Sequence, residues 1–175
     1  ELYSIAMVIE ELGPLLGGWR IELVGTDLSE AVVQKAANGR YSQFEVQRGL
    51  PAPLLIKYFD KQGEEWVIKQ RVRDRVRFKR HNLLHDFASL GRFNFVFCRN
   101  VLFYFEPETR NQILKRIAQS LSPDGCLVLG SSEALTGLAA GYRVSSLGSG
   151  FMCWGPEKPA QPLHSPAAVA ATNAK

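Results

Sequence analysis

The amino-acid sequence predicts an α/β fold in which a mostly parallel sheet has helices on both faces. Short apolar segments typical of buried strands alternate with segments whose apolar residues recur at helical spacing. At the end of the chain, Tyr142 to Leu147 and Phe151 to Trp154 flank Gly148-Ser149-Gly150, which predicts a closing antiparallel hairpin. Ligands of such sheets bind beyond the carboxyl ends of the strands, so the residues that follow each strand are the candidates for function.

The first forty residues predict a helix, a strand and a second helix. Apolar residues recur at helical spacing over residues 2 to 12, and Ile21 to Gly25 has the composition of a buried strand. Ser29 is a favourable N-cap for a helix over Glu30 to Ala37, which Asn38-Gly39 is suited to end.

The next forty residues give weaker signals. Pro51 to Tyr58 predicts a short helix, and two short strands are predicted, the first from Trp66 to Lys69 after a turn near Gly63 and the second from Val76 to Lys79.

Seven Lys and Arg residues crowd the segment from 69 to 80. Five of them alternate with other residues, so either one strand carries a basic face or a turn occupies residues 70 to 74. A solvated face that protects a sheet edge is the favoured interpretation, and attraction to an acidic protein is the alternative. The segment lacks interleaved aromatic residues, so nucleic acid is not a predicted partner.

The remaining elements are predicted more clearly. Phe93 to Cys98 (FNFVFC) is a strong strand candidate, and a helix from Pro107 to Leu121 follows with proline at an early position. Ser122 to Gly125 predicts a turn before a buried strand from Cys126 to Leu129.

Composition narrows the classes of protein. The 175 residues are 46% hydrophobic and 22% charged, ordinary values for one globular domain. No apolar run approaches the ~20 residues of a membrane helix, so membrane insertion is not predicted. Three cysteines without paired spacing predict a reduced, cytoplasmic protein without a metal site. The net charge of +4 permits an acidic partner, and residues 156 to 175 are predicted to be a Pro/Ala-rich linker or disordered tail.

Polar residues follow three of the predicted strands. Asp27 could accept hydrogen bonds from both ribose hydroxyls of a nucleoside, although a turn aspartate has similar weight. Asn82 could bind an adenine edge, but a turn asparagine is favoured on the residues alone. Arg99-Asn100, directly after FVFC, is an unusual strand exit that suggests a backbone held open beside a ligand.

Two further residues have competing interpretations. Tyr104 lies between Phe103 and Phe105, so a core aromatic and a functional hydroxyl are equally favoured. A structural role is favoured for Glu133, in the Gly130 to Glu133 segment.

Five segments together resemble the CheR family of chemotaxis receptor methyltransferases. They are ELYSIA at 1 to 6, GTDLSEAVVQKAANGRY at 25 to 41, VRFKRHNLL at 76 to 84, FNFVFCRNVLFYF at 93 to 105 and LSPDGCLVLGSSE at 121 to 133. They keep the family's order over residues 1 to about 155, and the CRNVLxYF element is the most specific of them.

The resemblance implies a class I S-adenosylmethionine-dependent methyltransferase (Rossmann-like) sheet over residues 1 to 155, with a small antiparallel β subdomain at about 42 to 75. The family's first strand, its Gly-rich loop and its helical N-terminal domain would precede Glu1, so residues 1 to 175 alone are expected to be deficient in cofactor binding and activity. Leu2 and Ser131 stand where the family has Pro and His.

The resemblance also implies the site and the reaction. The residues implied in cofactor binding are Glu1, Asp27, Asn82, Leu83, Cys98 and Arg99. Tyr104 corresponds to the family tyrosine near the transferred methyl and is the implied catalytic residue. The implied reaction moves a methyl group from S-adenosylmethionine to glutamate side chains on the cytoplasmic domain of chemoreceptors, leaving S-adenosylhomocysteine.

One departure concerns how the enzyme would reach its receptor. Family members that dock onto a receptor tail pentapeptide have a Gly-rich loop where this chain has Asp60 to Trp66, with Gly63 alone, so independence of such a peptide is predicted. A class I methyltransferase with another substrate and a non-enzymatic signalling module are the alternatives. A nicotinamide-binding domain is disfavoured because G-x-G-x-x-G is absent between strand and helix.

Overall fold

The computed structural model describes residues 1–130, 133, 142–147 and 151–156. The chain forms two compact units, Glu1–His85 and Asp86–Lys175. The predicted tail and the Ser131 substitution lie outside the described residues, apart from residue 156.

The first unit contains a parallel strand pair, an antiparallel sheet and five helices within its described residues. Its elements are α1 (Leu2–Glu11), β1 (Leu23–Asp27), α2 (Glu30–Asn38), β2 (Arg40–Ser42), α3 (Gln43–Gln47), α4 (Ala52–Tyr58), β3 (Phe59–Gln62), β4 (Glu65–Ile68), α5 (Gln70–Arg73) and β5 (Val76–Arg80). A 3₁₀ turn, Gly13–Leu16, follows α1.

Strands β1 and β5 run parallel, in a register that pairs Leu23 with Val76 and Asp27 with Arg80. Helix α2 begins where the Ser29 hydroxyl accepts the Val32 N–H and ends at Gly39, whose φ of 63° is left-handed. A Cβ at Gly39 would also lie 2.6 Å from the Ile68 side chain, so both the conformation and the space require glycine. The parallel pairing places the carboxyl ends of β1 and β5 at one edge.

The antiparallel sheet has the strand order β2-β4-β3. Strands β3 and β4 pair from Phe59–Ile68 to Gln62–Glu65, so the turn between them contains two residues, of which Gly63 has a φ of 60°. The core of the unit lies beneath this sheet and α1, and its most buried members are Ala6, Tyr58, Ile68 and Val72.

The second unit is a four-stranded sheet with one long helix in its described part. Its elements are β6 (Phe93–Cys98), α6 (Pro107–Ser120), β7 (Leu121–Leu129), β8 (Tyr142–Leu147) and β9 (Phe151–Pro156), with 3₁₀ turns at Ala88–Leu90 and Leu102–Tyr104. The strand order is β6-β7-β9-β8, in which β6 and β7 are parallel and the other pairs antiparallel. The Tyr142 hydroxyl donates to the Leu114 carbonyl of α6 at 2.6 Å, which ties the helix to this sheet.

Most predicted elements are confirmed, including α1, α2, α4, β6, α6 and the closing hairpin. The sequence did not predict β2, α3 or β3, because these elements have three to five residues and too few positions to show a period. The described strands form three sheets, β1-β5, β2-β4-β3 and β6-β7-β9-β8, where one mainly parallel sheet and a small antiparallel subdomain were expected. Strand β1 begins at Leu23 instead of Ile21 and includes Asp27.

Two local predictions need correction. Of the two alternatives for the Arg-rich segment, the turn at residues 70 to 74 is confirmed and the single basic strand is wrong, because Gln70–Arg73 forms a helical turn. Arg71 and Arg75 instead bond to Glu10 at 3.2 and 3.1 Å. The residues from 122 to 125, predicted as a turn, lie inside β7 as an irregularity: Phe93 pairs with Leu121 but Phe95 pairs with Cys126.

Across the described residues, we find no helix with the length and apolar character needed to span a membrane.

Candidate functional site

The end of β1 presents an exposed carboxylate. Asp27 is the last residue of the strand, and its Oδ1 accepts the Ser29 N–H at 2.8 Å. This bond makes the tight turn from which Ser29 begins α2. Within the described part of the chain, Oδ2 of Asp27 has no protein partner, so the carboxylate keeps acceptor capacity for a ligand.

The loop after β5 lies beside the end of β1. The His81 N–H donates to the Asp27 carbonyl at 2.9 Å, so Asn82 and Leu83 follow directly from this contact. Asn82 Oδ1 accepts the Leu84 N–H at 2.9 Å, which is the turn role that the residues alone favoured. The structure therefore brings three predicted site residues to one edge of the first unit, with Asn82 already using its side-chain acceptor.

A small hollow lies against Asp27. Its volume is about 170 Å³. The lining residues are Leu2, Gly25, Thr26, Asp27, Val32, Val33, Ala36 and Phe78. A Cβ at Gly25 would lie 2.9 Å from the Phe78 ring and 3.0 Å from Leu2, so glycine keeps this surface open. A hollow of this size, with an apolar surface and a carboxylate at its rim, has room for part of a nucleoside, whose base is flat and whose ribose donates hydroxyl protons.

Glu1 stands at the start of α1, next to the hollow-lining Leu2. Its carbonyl accepts the Ile5 N–H at 3.0 Å in the first turn of the helix, and its side chain is exposed.

The end of β6 carries the predicted site residues of the second unit. The Cys98 side chain is buried, and burial, with a smaller contribution from Glu133, raises the pKa of its thiol to about 12. Cys98 therefore stays protonated, and a contact from this residue to a ligand would use its backbone. Arg99 is exposed, and Asn100 has a left-handed φ of 60°.

Tyr104 ends the 3₁₀ turn that follows this loop. Its side chain is 78% exposed, and its ring centroid lies 4.3 Å from that of Phe103. The interpretation of Tyr104 as a core aromatic is therefore wrong. The structure leaves its hydroxyl accessible to a substrate or cofactor.

Glu133 holds the loop after β6 in place. Because β6 and β7 are parallel and Cys98 pairs with Leu129, the segments that follow both strands leave the sheet side by side. Glu133 Oε1 accepts the N–H groups of Val101 and Leu102, both at 2.7 Å. Its Oε2 accepts those of Asn100 at 2.7 Å and Gly130 at 3.0 Å. The structural role favoured for Glu133 agrees with these contacts.

Electrostatics favour the ionised form of Glu133. Burial by itself would raise the pKa of this carboxyl, but the four backbone N–H groups lower it below its ordinary value. We call the four N–H groups around the Glu133 carboxylate the Glu133 cradle. The local sequence carries no signal for this cradle, because the carboxylate lies 31 to 33 residues from three of its donors.

The described residues hold no group of three or more His, Cys, Asp or Glu side chains suited to a metal ion.

The sequence model of the family "CheR methyltransferase, SAM binding domain" matches residues 1–150. The chain belongs to the CheR family. The "Chemotaxis protein methyltransferase Cher2" of Pseudomonas putida is 42% identical over 158 residues, which cover 87% of this chain and 57% of that protein.

Other CheR relatives show the same coverage. The "Chemotaxis protein methyltransferase 1" of Pseudomonas aeruginosa is also 42% identical, over 87% of this chain and 57% of its own length. The enzyme of Vibrio parahaemolyticus is 35% identical, over 87% of this chain and 56% of its own length. The chain thus spans little more than half the length of these relatives.

Solved structures show a weaker likeness. The glycopeptide N-methyltransferase MtfA in complex with S-adenosylhomocysteine is 18% identical with a TM-score of 0.39, over 90% of this chain and 60% of that one. LepI in complex with S-adenosylmethionine is 16% identical with a TM-score of 0.40, over 73% of this chain and 24% of that one.

Membership of the CheR family confirms the predicted α/β fold class and the predicted cofactor, S-adenosylmethionine. The individual roles of the predicted site residues stay predictions. The structure places Asp27, Asn82 and Leu83 together in the first unit. In the second unit it places Cys98 at the end of β6 and Arg99 and Tyr104 in the segment that follows.

Proposed function

We propose that this protein is a protein-glutamate O-methyltransferase that transfers methyl groups from S-adenosylmethionine to glutamate side chains of chemoreceptor cytoplasmic domains. The family match over residues 1–150 carries this proposal. The names of the relatives, chemotaxis protein methyltransferases at 42% identity, support the receptor substrate.

Binding of the cofactor is assigned to residues at the carboxyl ends of the parallel strands. In the first unit, the exposed Asp27 carboxylate accepts the ribose hydroxyls, and the apolar hollow beside it receives part of the nucleoside. Asn82 and Leu83 contribute from the loop after β5, and Glu1 contributes from the start of α1. In the second unit, Cys98 contributes its backbone and Arg99 its side chain.

The chemistry requires alignment rather than a strong base. S-adenosylmethionine supplies an electrophilic methyl carbon on a sulfonium. The receptor glutamate is ionised at neutral pH and is already a nucleophile, so the chain's residues must orient it in line and exclude water. The Tyr104 hydroxyl orients the donor or the acceptor. The buried Cys98 thiol, whose pKa is raised to about 12, stays protonated and is a weak nucleophile.

The proposed partner is a chemoreceptor approached without a tail pentapeptide. The two-residue turn between β3 and β4 supports this proposal, because it lacks the Gly-rich loop of the peptide-dependent relatives. Such a receptor domain is cytoplasmic, and we propose the same location for this protein. The net charge of +4 permits an acidic partner surface. Calorimetry of the full-length protein with the receptor's C-terminal pentapeptide should detect no binding, and strong binding would contradict this part of the proposal.

The reaction is tested by incubating the full-length protein with methyl-labelled S-adenosylmethionine and a purified receptor cytoplasmic domain. We expect base-labile label on the receptor, because glutamate methyl esters hydrolyse at alkaline pH. A receptor whose methylatable glutamates are replaced by alanine is the control and should remain unlabelled. Label on small molecules of a metabolite panel, but not on the receptor, would favour another class I methyltransferase substrate.

Replacing Tyr104 by phenylalanine tests its proposed role. We expect Tyr104→Phe to lower kcat roughly 10- to 100-fold while affinity for S-adenosylhomocysteine changes little, because the hydroxyl aligns reacting groups. Tyr41→Phe removes the same atom from a half-buried ring of the antiparallel sheet and serves as the matched control. Unchanged kcat in Tyr104→Phe would remove this tyrosine from the mechanism.

A further inference from the structure

The loop after β6 has a backbone conformation that local sequence does not explain. Strand β6 ends at Cys98, the chain enters the left-handed region at Asn100, and a 3₁₀ turn begins at Leu102. Three consecutive N–H groups, from residue 100 to residue 102, then donate to one carboxylate instead of to a helix or strand. Such a run of donors forms a concave anion site in the backbone.

The anion in this site belongs to the chain itself. Glu133 is 7% exposed, and each of its carboxylate oxygens accepts two backbone N–H groups at 2.7 to 3.0 Å. The Glu133 N–H donates in turn to the Gly130 carbonyl at 3.0 Å. Every strong acceptor position of the carboxylate is therefore directed at the backbone that it organises.

Neighbouring groups leave little freedom for another arrangement. A Cβ at Gly130 would lie 2.8 Å from Glu133 Oε2 and 3.2 Å from the Asn100 nitrogen, so only glycine allows this approach. A glutamine at position 133 would direct an amide NH₂ at backbone N–H donors, which cannot accept it. The cradle thus depends on a carboxylate at 133 and on the absence of a side chain at 130.

The same loop carries two residues of the proposed reaction. Arg99 directly precedes the left-handed residue, and Tyr104 ends the 3₁₀ turn whose first N–H, that of Leu102, bonds to Glu133. Leu102 is buried, whereas Arg99 and Tyr104 are exposed. The bonds at 100 to 102 therefore fix the backbone of a segment in which Leu102 is buried and Arg99 and Tyr104 are exposed.

We propose that Glu133 is a positioning residue for methyl transfer, acting through the backbone of residues 100 to 102 to hold Arg99 and Tyr104 in their working orientation. The proposal rests on the proposed function. Glu133 itself touches neither cofactor nor substrate in this role. It fixes the loop before ligands bind, so that ordering of the loop does not oppose the alignment of the reacting groups.

The test uses the full-length protein with Glu133→Gln, compared with Glu108→Gln, the same change at an exposed position of α6. We expect amides of residues 100 to 102 to exchange hydrogen at least about tenfold faster in Glu133→Gln, because one of the two oxygens that accept them becomes an NH₂ group. We also expect kcat to fall roughly 10- to 100-fold. The affinity for S-adenosylhomocysteine, measured calorimetrically, should fall by a clearly smaller factor, because Arg99 is one of several proposed cofactor contacts and the others lie outside this loop. Glu108→Gln should match the wild-type protein in all three measurements.

Gly130→Ala provides a second route to the same loop. It keeps the carboxylate but crowds it, so it should also speed exchange at residues 100 to 102 and lower kcat, even if Glu133→Gln does not fold. Two results would overturn the proposal. One is unchanged exchange or unchanged kcat in both variants, and the other is a loss of S-adenosylhomocysteine affinity as large as the loss of kcat, which indicates general disruption.

Failure of the proposed function would be recognised separately. If the wild-type protein transfers no methyl group to receptors, the reaction is wrong, but hydrogen exchange still measures the cradle. Faster exchange in Glu133→Gln would then support the positioning of the loop by Glu133, and unchanged exchange would reject it.

Discussion

The turns that end β1 and β6 are both organised by a carboxylate, but the two carboxylates differ in how much hydrogen-bond acceptor capacity remains free. Asp27 is exposed and accepts one N–H, that of Ser29, two residues ahead. Glu133 is buried and accepts four N–H groups, three of them 31 to 33 residues away. Asp27 keeps an open oxygen for a ligand, whereas Glu133 has its oxygens filled by the backbone.

This difference assigns the two carboxylates to different functions, ligand binding for Asp27 and stabilisation of a backbone conformation for Glu133. A carboxylate with unused acceptor capacity at the end of a parallel strand is suited to bind a ligand. A carboxylate saturated by buried backbone donors is suited to fix a conformation, because leaving those donors without partners is costly. We therefore expect changes at Asp27 to act on affinity and changes at Glu133 to act on stability and loop order.

The largest effect is expected for Glu133→Ala. Removing the acceptor of four backbone N–H groups in a buried place should lower the free energy of unfolding by about 2–4 kcal/mol. Urea unfolding followed by circular dichroism measures this change, with Glu108→Ala as the exposed control. A loss of less than about 0.5 kcal/mol would show that water replaces the carboxylate at no cost, and the contrast with Asp27 would disappear.

Asp27→Ala should instead weaken cofactor binding. Loss of charge-assisted hydrogen bonds to the ribose should raise the Kd for S-adenosylhomocysteine about 10- to 100-fold, while the free energy of unfolding changes by less than about 1 kcal/mol. Calorimetry on the full-length protein measures the affinity, and Asp60→Ala on β3 is the matched control. If Asp27→Ala binds S-adenosylhomocysteine with wild-type affinity, Asp27 does not bind the cofactor and serves only to form the turn before α2.

The left-handed residue of the β6 loop should show a smaller effect. Asn100 adopts a φ of 60°, which asparagine tolerates better than alanine, so Asn100→Ala should destabilise the fold by about 1 kcal/mol. Asn100→Gly should be close to neutral because glycine enters this region without strain. Urea unfolding of both variants, with Asn94→Ala in β6 as control, decides the point: equal losses in the alanine and glycine variants would contradict a conformational cause.

The smallest expected effect is a dependence of the free energy of unfolding on pH. The pKa of Glu133 is lower in the folded state than its ordinary value of 4.5. At pH values between the folded-state pKa and 4.5, the unfolded chain therefore binds the proton more readily than the folded protein does. The stability from this group is complete above about pH 4.5 and is lost as the pH falls through the lowered folded-state pKa. The difference in unfolding free energy between the wild-type protein and Glu133→Gln should therefore narrow as the pH falls below about 4.5. A constant difference would contradict an ionised Glu133.

Prediction from sequence succeeded where the signal was local. The N-cap at Ser29, the end of α2 at Gly39 and the strand Phe93–Cys98 each follow from a few adjacent residues, and the structure confirms them. The three-residue strand β2 was missed because it is stabilised by pairing with β4, some 25 residues away, rather than by a pattern of its own. The sequence also did not decide whether Tyr104 is buried or exposed, because a run of aromatic residues is compatible with both.

By itself, the sequence determined the α/β class, the CheR resemblance with its cofactor, and the helix N-cap at Ser29. These features depend on motifs and on bonds between residues that are close in the sequence. Only the tertiary structure decided that Tyr104 faces solvent and that Glu133 holds the backbone of Asn100 to Leu102. The physical reason is the parallel pairing of Cys98 with Leu129. That register brings two segments about thirty residues apart to one edge of a sheet, where a buried carboxylate and three backbone amides satisfy each other.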